Sequence, residues 1–372
     1  MDARPVHRLP ELEGLRGLLS WWVVLCHALT HSGYSIATVG RGWRILLHGD
    51  YAVDVFIILS GFVIHKLWHD KREPYRVFVA RRFLRLWPAY AVCLLGALVL
   101  RPCISAILDH APPAALPEWT NFVTAGRQTW QCEQVHFAAH LAAHAPMLHS
   151  AIPETLLPRS SIAFLGPAWS ISLEWQFYLV APLLFWELQK RRSLAWLLFA
   201  VAAGLGWMFR YTHPLDTWFP MEAFLPQKLL LFGIGVISHE IWAAFDTSAA
   251  RAAPALLGLA MLVLFFTLSI PLALWLAVLS SVFASRSLLK AALSSAPLQF
   301  LGRVSYSTYL GHVLVLWAVL PLLYRFLPSA GPRSMFTALA LTSVPLILLL
   351  SAGLHRWVEA PAIRFGHRIF ES

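Results

Sequence analysis

The chain has 372 residues, 58% hydrophobic and only 13% charged, with a mean hydropathy of +0.62. A soluble globular domain carries about a quarter charged residues, so this composition excludes one and points to an all-α, polytopic membrane bundle. The formal charge of +10 would mark a nucleic-acid partner in a soluble protein, but here it has first to be tested against topology.

Along the chain, about ten transmembrane helices are predicted, each near the ~20 residues a bilayer core requires. The first, roughly 15–33, follows Arg4, His7 and Arg8 and has no small-residue cleavage site, so it reads as a span and not a signal peptide. Span two covers roughly 46–66; a basic link, KLWHDKREPYRVFVARRFLR, then leads to span three at about 86–101. A polar, proline-containing stretch, 102–166, precedes span four at roughly 168–188. Further spans are expected near 194–209, 224–243, 254–270 and 271–285, and the last two near 303–324 and 335–357. The tail RWVEAPAIRFGHRIFES reads as a short amphipathic piece on the membrane surface.

Threading these spans with the N-terminus inside places 20 of the 29 Lys and Arg residues on the inner side and nine outside, with the densest clusters at 66–85 and 190–192. The opposite orientation inverts that bias, so both termini are expected to be cytoplasmic and the protein multi-pass in the cell inner membrane. The positive charge is then topology: the bilayer is the partner, and no nucleic acid is implied. The segment 102–166 falls outside. Within it His136, His140 and His144 stand at i, i+4, i+8, a spacing that stacks three imidazoles on one face; a zinc site is one reading, and an interfacial or re-entrant helix with a polar stripe is the favoured one. No acid is spaced to complete a site, so no metal is expected. Cys103 and Cys132 share this segment and are candidates for pairing.

Ionisable groups at membrane depth cost about 2.5–3.5 kcal/mol each on insertion scales and so tend to mark function. In GLRGLLSWWVVLCHA, Arg16 and His27 are eleven residues apart, which returns to nearly the same helical face about 16 Å along the axis. A snorkelling arginine and a packed histidine is the plainer account. By position in their spans, His27 and His312 lie some 18 and 14 Å from the inner surface, and Asp54 and Glu174 some 18 and 21 Å. All four fall in one layer, which points to a shared site; each bracing a neighbouring helix is the structural alternative. Arg82 and Arg85, one turn apart in RRFLRLWP, join Arg16 at the cytoplasmic mouth, where guanidinium groups suit phosphate; Arg81 needs no ligand beyond its topological role. This vertical arrangement fits a long donor with an anionic head inside and a reactive end at mid-membrane, where a neutral histidine takes a proton from a hydroxyl. A proton-coupled transporter is the rival reading, although no inverted repeat is visible. Cys26 adjoins His27, but neighbours in sequence do not face each other on a helix, which argues against a thioester nucleophile there.

These residues fall into patterns. LEGLRGLLSWWVVLCH, YAVDVFIILSGFVI, RRFLRLWPAY, WSISLEWQFYLVAPLL, GRVSYSTYLGH and VEAPAIRFGHR together resemble the membrane-bound acyltransferase-3 family, whose members O-acylate surface glycans and some secreted small molecules. The resemblance spans about residues 9–366 and implies a single membrane domain over 1–372. It implies that His27 is catalytic, as base or transient acyl carrier, that Arg16 assists, and that Arg82 and Arg85 bind the acyl-CoA. Asp54 and Glu174 are candidates for orienting His27 or the acceptor, and Ser60, Tyr178, Tyr309 and His312 for lining the substrate pocket. Trp175 replaces a second acid common in the family, and Gly311 stands where tryptophan is common, with a possible effect on the pocket floor. The expected function is an O-acyltransferase moving an acyl group, acetyl above all, from cytoplasmic acetyl-CoA or another acyl-CoA to a hydroxyl of an exopolysaccharide, lipopolysaccharide or lipid-linked glycan. The donor is a substrate, and no permanently bound cofactor is expected. Acylation of a small secreted molecule is the alternative.

Overall fold

The computed structural model describes residues 9–37, 39–110, 117–190, 218–244, 269–284 and 286–370. Within them the chain is helical and forms no strand: α1 Pro10–His31, α2 Gly49–Lys71, α3 Tyr75–Val99, α4 Arg101–His110, α5 Pro117–Val135, α6 Phe137–His144, α7 Trp169–Lys190, α8 Leu225–Ala244, α9 Ile270–Phe283, α10 Leu288–Leu293, α11 Ala296–Arg303, α12 Ser305–Phe326, α13 Pro332–Leu354 and α14 Ala360–Phe370. Among the described residues, α2, α3, α12 and the run Pro332–Phe370 are long and apolar enough to cross a bilayer. The expected spans at 194–209 and, but for its last two residues, 254–270 lie outside the described residues.

Local chemistry sets the helix ends. α1 opens with Pro10 and carries Glu11 and Glu13 in its first turn, where the missing N–H is harmless and the dipole favours acid. It stops where Gly33 takes φ +88°, a left-handed conformation that suits glycine. Span three needs correction: of the basic stretch expected as a link, Lys66–Lys71 finish α2 and Tyr75–Arg85 open α3, with only Arg72, Glu73 and Pro74 between the helices. Hydropathy marks where a helix meets lipid, whereas the helix itself runs on through polar residues. Arg81, expected to have only a topological role, is buried and bonded to Glu73.

Three helix pairs approach at backbone distance, among them α1 and α10, where a Cβ on Gly14 would lie 1.9 Å from the Leu293 carbonyl oxygen. A Cβ on Gly61 of α2 would lie 2.1 Å from the Phe232 carbonyl oxygen, and one on Gly235 of α8 would lie 2.0 Å from that of Ile58. Small residues let membrane helices meet this closely, and here they join α2 to α8. Gly302 of α11 meets the Glu13 carbonyl of α1 in the same way, at 2.1 Å. In α12 every residue from Ser305 to Leu316 is buried, including the polar Ser305, Ser307, Thr308 and His312.

The described part of the segment 102–166 is more embedded than a surface loop. Arg101 bonds Glu133 at 2.5 Å and lies 4.4 Å from the Trp130 ring centre, while Glu133 accepts the Phe164 N–H at 2.8 Å. Past α6, the chain enters the bundle: His149, Ser150, Ala163, Phe164, Leu165 and Ala168 are at most 3% exposed. α7 therefore starts inside the protein, not at its outer surface. Cys26, Cys93, Cys103 and Cys132 are all free thiols.

Candidate active site

A cavity of about 180 Å³ opens among α1, α2, α3, α7 and α12. Each helix brings polar residues to it: Arg16 from α1, Ser60 from α2, Arg82 and Arg85 from α3, Ser170, Glu174 and Tyr178 from α7, and Ser305, Tyr306 and Tyr309 from α12. Phe56, Ile57, Val63 and Phe232 supply much of the apolar wall. The two arginines of α3 reach it together because they are three residues apart on one face.

Inside the cavity Glu174 accepts hydrogen bonds from Ser60 Oγ, at 3.1 Å, and from the Tyr178 hydroxyl. Arg82 Nε and Ser305 Oγ are buried with no hydrogen-bond partner among the described residues. Arg82 lies 6.0 Å from the Phe78 ring centre, and Arg16 pairs loosely with Glu13 at 4.0 Å. A buried guanidinium edge without a partner is costly unless an anion completes it.

At one end Tyr309 closes the cavity. Its hydroxyl lies 2.7 Å from Ser170 Oγ and donates to the Pro167 carbonyl at 3.1 Å. Behind Tyr309, with ring centres 6.3 Å apart, sits His312, and His27 stacks on His312 at 5.0 Å. His27 itself does not line the cavity. The helix registers give its distance: a Cβ on Gly49 of α2 would lie 3.1 Å from Cys26 Sγ of α1, and from there Arg16 stands ten residues along α1 and Ser60 eleven along α2. Arg16 and Ser60 share a level about 16 Å from His27.

Hydrogen bonding assigns the protons on the two histidines. His312 Nδ1 faces the Thr308 carbonyl at 3.1 Å, so it carries hydrogen and donates. Neutral His312 then presents a lone pair at Nε2, and His27 Nδ1, 2.8 Å away, must donate to it. That leaves Nε2 of half-buried His27 as a free lone pair. The tautomer follows from the network.

The two acids stand apart. Asp54 accepts a hydrogen bond from Lys228 Nζ at 2.9 Å, and Lys228 also meets Glu222 at 2.6 Å. Asp54 thus belongs to an ion-pair network tying α2 to α8 and does not line the cavity. Glu174 does, but at the level of Ser60 and the arginines, below the His27–His312 layer. The depth was misjudged because it assumed that α7 starts at the membrane surface. Gly311 faces Leu350 of α13, where a Cβ would come within 3.2 Å, so it does not shape the cavity floor, and Trp175 packs on Phe83.

The histidines between α5 and α7 divide. His136 precedes α6 and is exposed, whereas His140, His144 and His149 are fully buried. The Tyr90 hydroxyl lies 2.7 Å from His144 Nδ1, and the His144 and His149 rings stack at 3.9 Å. Burial pushes the basicity of both rings down, that of His149 to about 3.

The model of the Acyl_transf_3 acyltransferase domain matches residues 9–352 of this chain. The chain belongs to the acyltransferase-3 family. It is 30% identical over 392 aligned positions to "Acyltransferase MdmB" of Streptomyces mycarofaciens, covering 96% of this chain and 92% of that protein. It is 27% identical over 336 positions to "Putative membrane-bound transacylase BcsY" of Komagataeibacter xylinus, covering 84% and 74%. No solved structure matches. The enzyme is an acyltransferase, which sets the transporter reading aside.

Within this acyltransferase, residues missed by sequence reasoning are Lys228 and the cavity-lining role of Ser305 and Tyr306. Lys228 had a signal, a lone lysine in the apolar run LPQKLLLF. Its partner on α2 did not, since the two are 174 residues apart.

Proposed function

We propose that the enzyme transfers an acyl group, acetyl in the first instance, from cytoplasmic acyl-CoA to a hydroxyl of an exopolysaccharide, lipopolysaccharide or lipid-linked glycan in the inner membrane. The observation that carries this reading is the convergence of Arg16, Arg82 and Arg85 from two helices on one cavity, with a histidine pair beyond its closed end. The arginines suit the phosphates of the donor, which are the anionic groups a CoA thioester brings. The flexible pantetheine arm then spans the distance to His27, passing Tyr309, whose contacts with Ser170 and Pro167 hold it across the path.

At His27 the free Nε2 lone pair takes the proton of the acceptor hydroxyl as its oxygen attacks the thioester carbonyl. The C–S bond breaks, and the departing thiolate recovers that proton from the imidazolium. His312 acts through His27 and is a positioning residue. The test is transfer of labelled acetyl from acetyl-CoA by purified enzyme to isolated glycan, with His27→Ala and Arg16→Ala at matched expression. Full acetylation by both variants overturns the assignment, and transfer to a small secreted molecule but to no glycan corrects the acceptor.

A further inference from the structure

At the end of α2 opposite Gly49, His65 and His239 face each other across the α2–α8 contact. Their Nδ1 atoms are 2.9 Å apart, and His65 Nε2 lies 3.4 Å from Glu240 Oε1. Taking one ligand atom from each of His65, His239 and Glu240, all three lie within 4.8 Å of one another, the one such grouping of His, Cys, Asp and Glu among the described residues. His65 is 7% and His239 1% exposed, and His239 Nε2 is buried with no hydrogen-bond partner among the described residues. Two ligands about 2.05 Å from a tetrahedral zinc ion stand about 3.3 Å apart, so with His65 binding through one ring nitrogen the group, now within 4.8 Å, has to draw in by at most about 1.5 Å.

We propose that His65, His239 and Glu240 bind a divalent transition-metal ion of zinc type, pinning α2 to α8. Two imidazoles and a carboxylate form a borderline donor set that suits zinc or cobalt and not magnesium or calcium. His69 stands one turn from His65 on the same face, with its ring centre 5.8 Å from that of His239, and is placed to fill the fourth position. The nearby cation, Lys66, is paired with Asp70 at 2.5 Å, so its charge is offset. The site lies on the same helix that lends Ser60, Val63 and Ile64 to the cavity, so the ion would fix that wall.

The experiment uses the full chain in detergent, on a tag without histidine, stripped with chelator and titrated with Co²⁺ and then Zn²⁺. The expected result is one cobalt per chain with a tetrahedral visible band, displaced by zinc, and a rise in thermal midpoint with zinc. His239→Ala and Glu240→Gln should each weaken binding at least about tenfold. The Glu240 carboxylate is 36% exposed, so its amide variant should fold even if His239→Ala does not. His136→Ala, at an exposed histidine, should change nothing. Failure to take up cobalt, unchanged affinity in Glu240→Gln, or loss of the band in His136→Ala each overturns the site and leaves a hydrogen-bonded helix clasp.

Discussion

Replacing His312 by leucine tests the proton assignment on His27 directly. In the native protein His27 Nδ1–H has one acceptor, His312 Nε2 at 2.8 Å, and His312 is held in turn by Thr308. Leucine removes the acceptor from a buried donor, which costs about 1–3 kcal/mol and favours the tautomer with hydrogen on Nε2. The productive fraction should then fall about 5- to 150-fold, by the same free energy. The loss should appear in kcat, because the arginines stand about 16 Å away along the helix axis, and KM for acyl-CoA should stay within about twofold. His312→Gln places an amide oxygen near the position of Nε2, so it should keep kcat within about tenfold of native. The assay is steady-state transfer of labelled acetyl in detergent. A kcat within threefold of native for His312→Leu, or an effect confined to KM, refutes the reasoning.

Arg82→Ala should raise KM for acyl-CoA by about tenfold or more, the worth of a charge-assisted hydrogen bond, with kcat changed far less; initial rates over a donor series decide it. Gly235→Ala inserts a Cβ 2.0 Å from the Ile58 carbonyl, so it should cost about 1–3 kcal/mol by overpacking and lower the thermal midpoint. The His144–His149 pair should make the segment from α6 to α7 acid-labile. A histidine whose folded pKa is depressed binds fewer protons than the unfolded chain, so stability is full above about 6.5 and falls as pH drops toward about 3. At about pH 5 His149 alone accounts for about 2 kcal/mol, seen as faster hydrogen exchange over residues 137–166 that His149→Phe abolishes.

What the sequence by itself determined lies within single helices. The 3.6-residue period puts Arg16 and His27 on one face, and Arg82 and Arg85 on another, before any neighbour is known. Composition alone calls for a membrane bundle, and six short patterns point to the family that the whole-chain match shows. What only the tertiary structure decided is register between helices. Asp54 could not be matched to Lys228, because nothing local joins residues 174 apart. Glu174 was placed too far out because the chain from 149 to 168 enters the bundle without a regular helix, and hydropathy cannot see where α7 then starts. His65 and His239 meet only because glycines on α2 and α8 let the two backbones come into contact. Periodicity orients a side chain about its own helix axis, while depth and partner come from packing, which belongs to the whole fold.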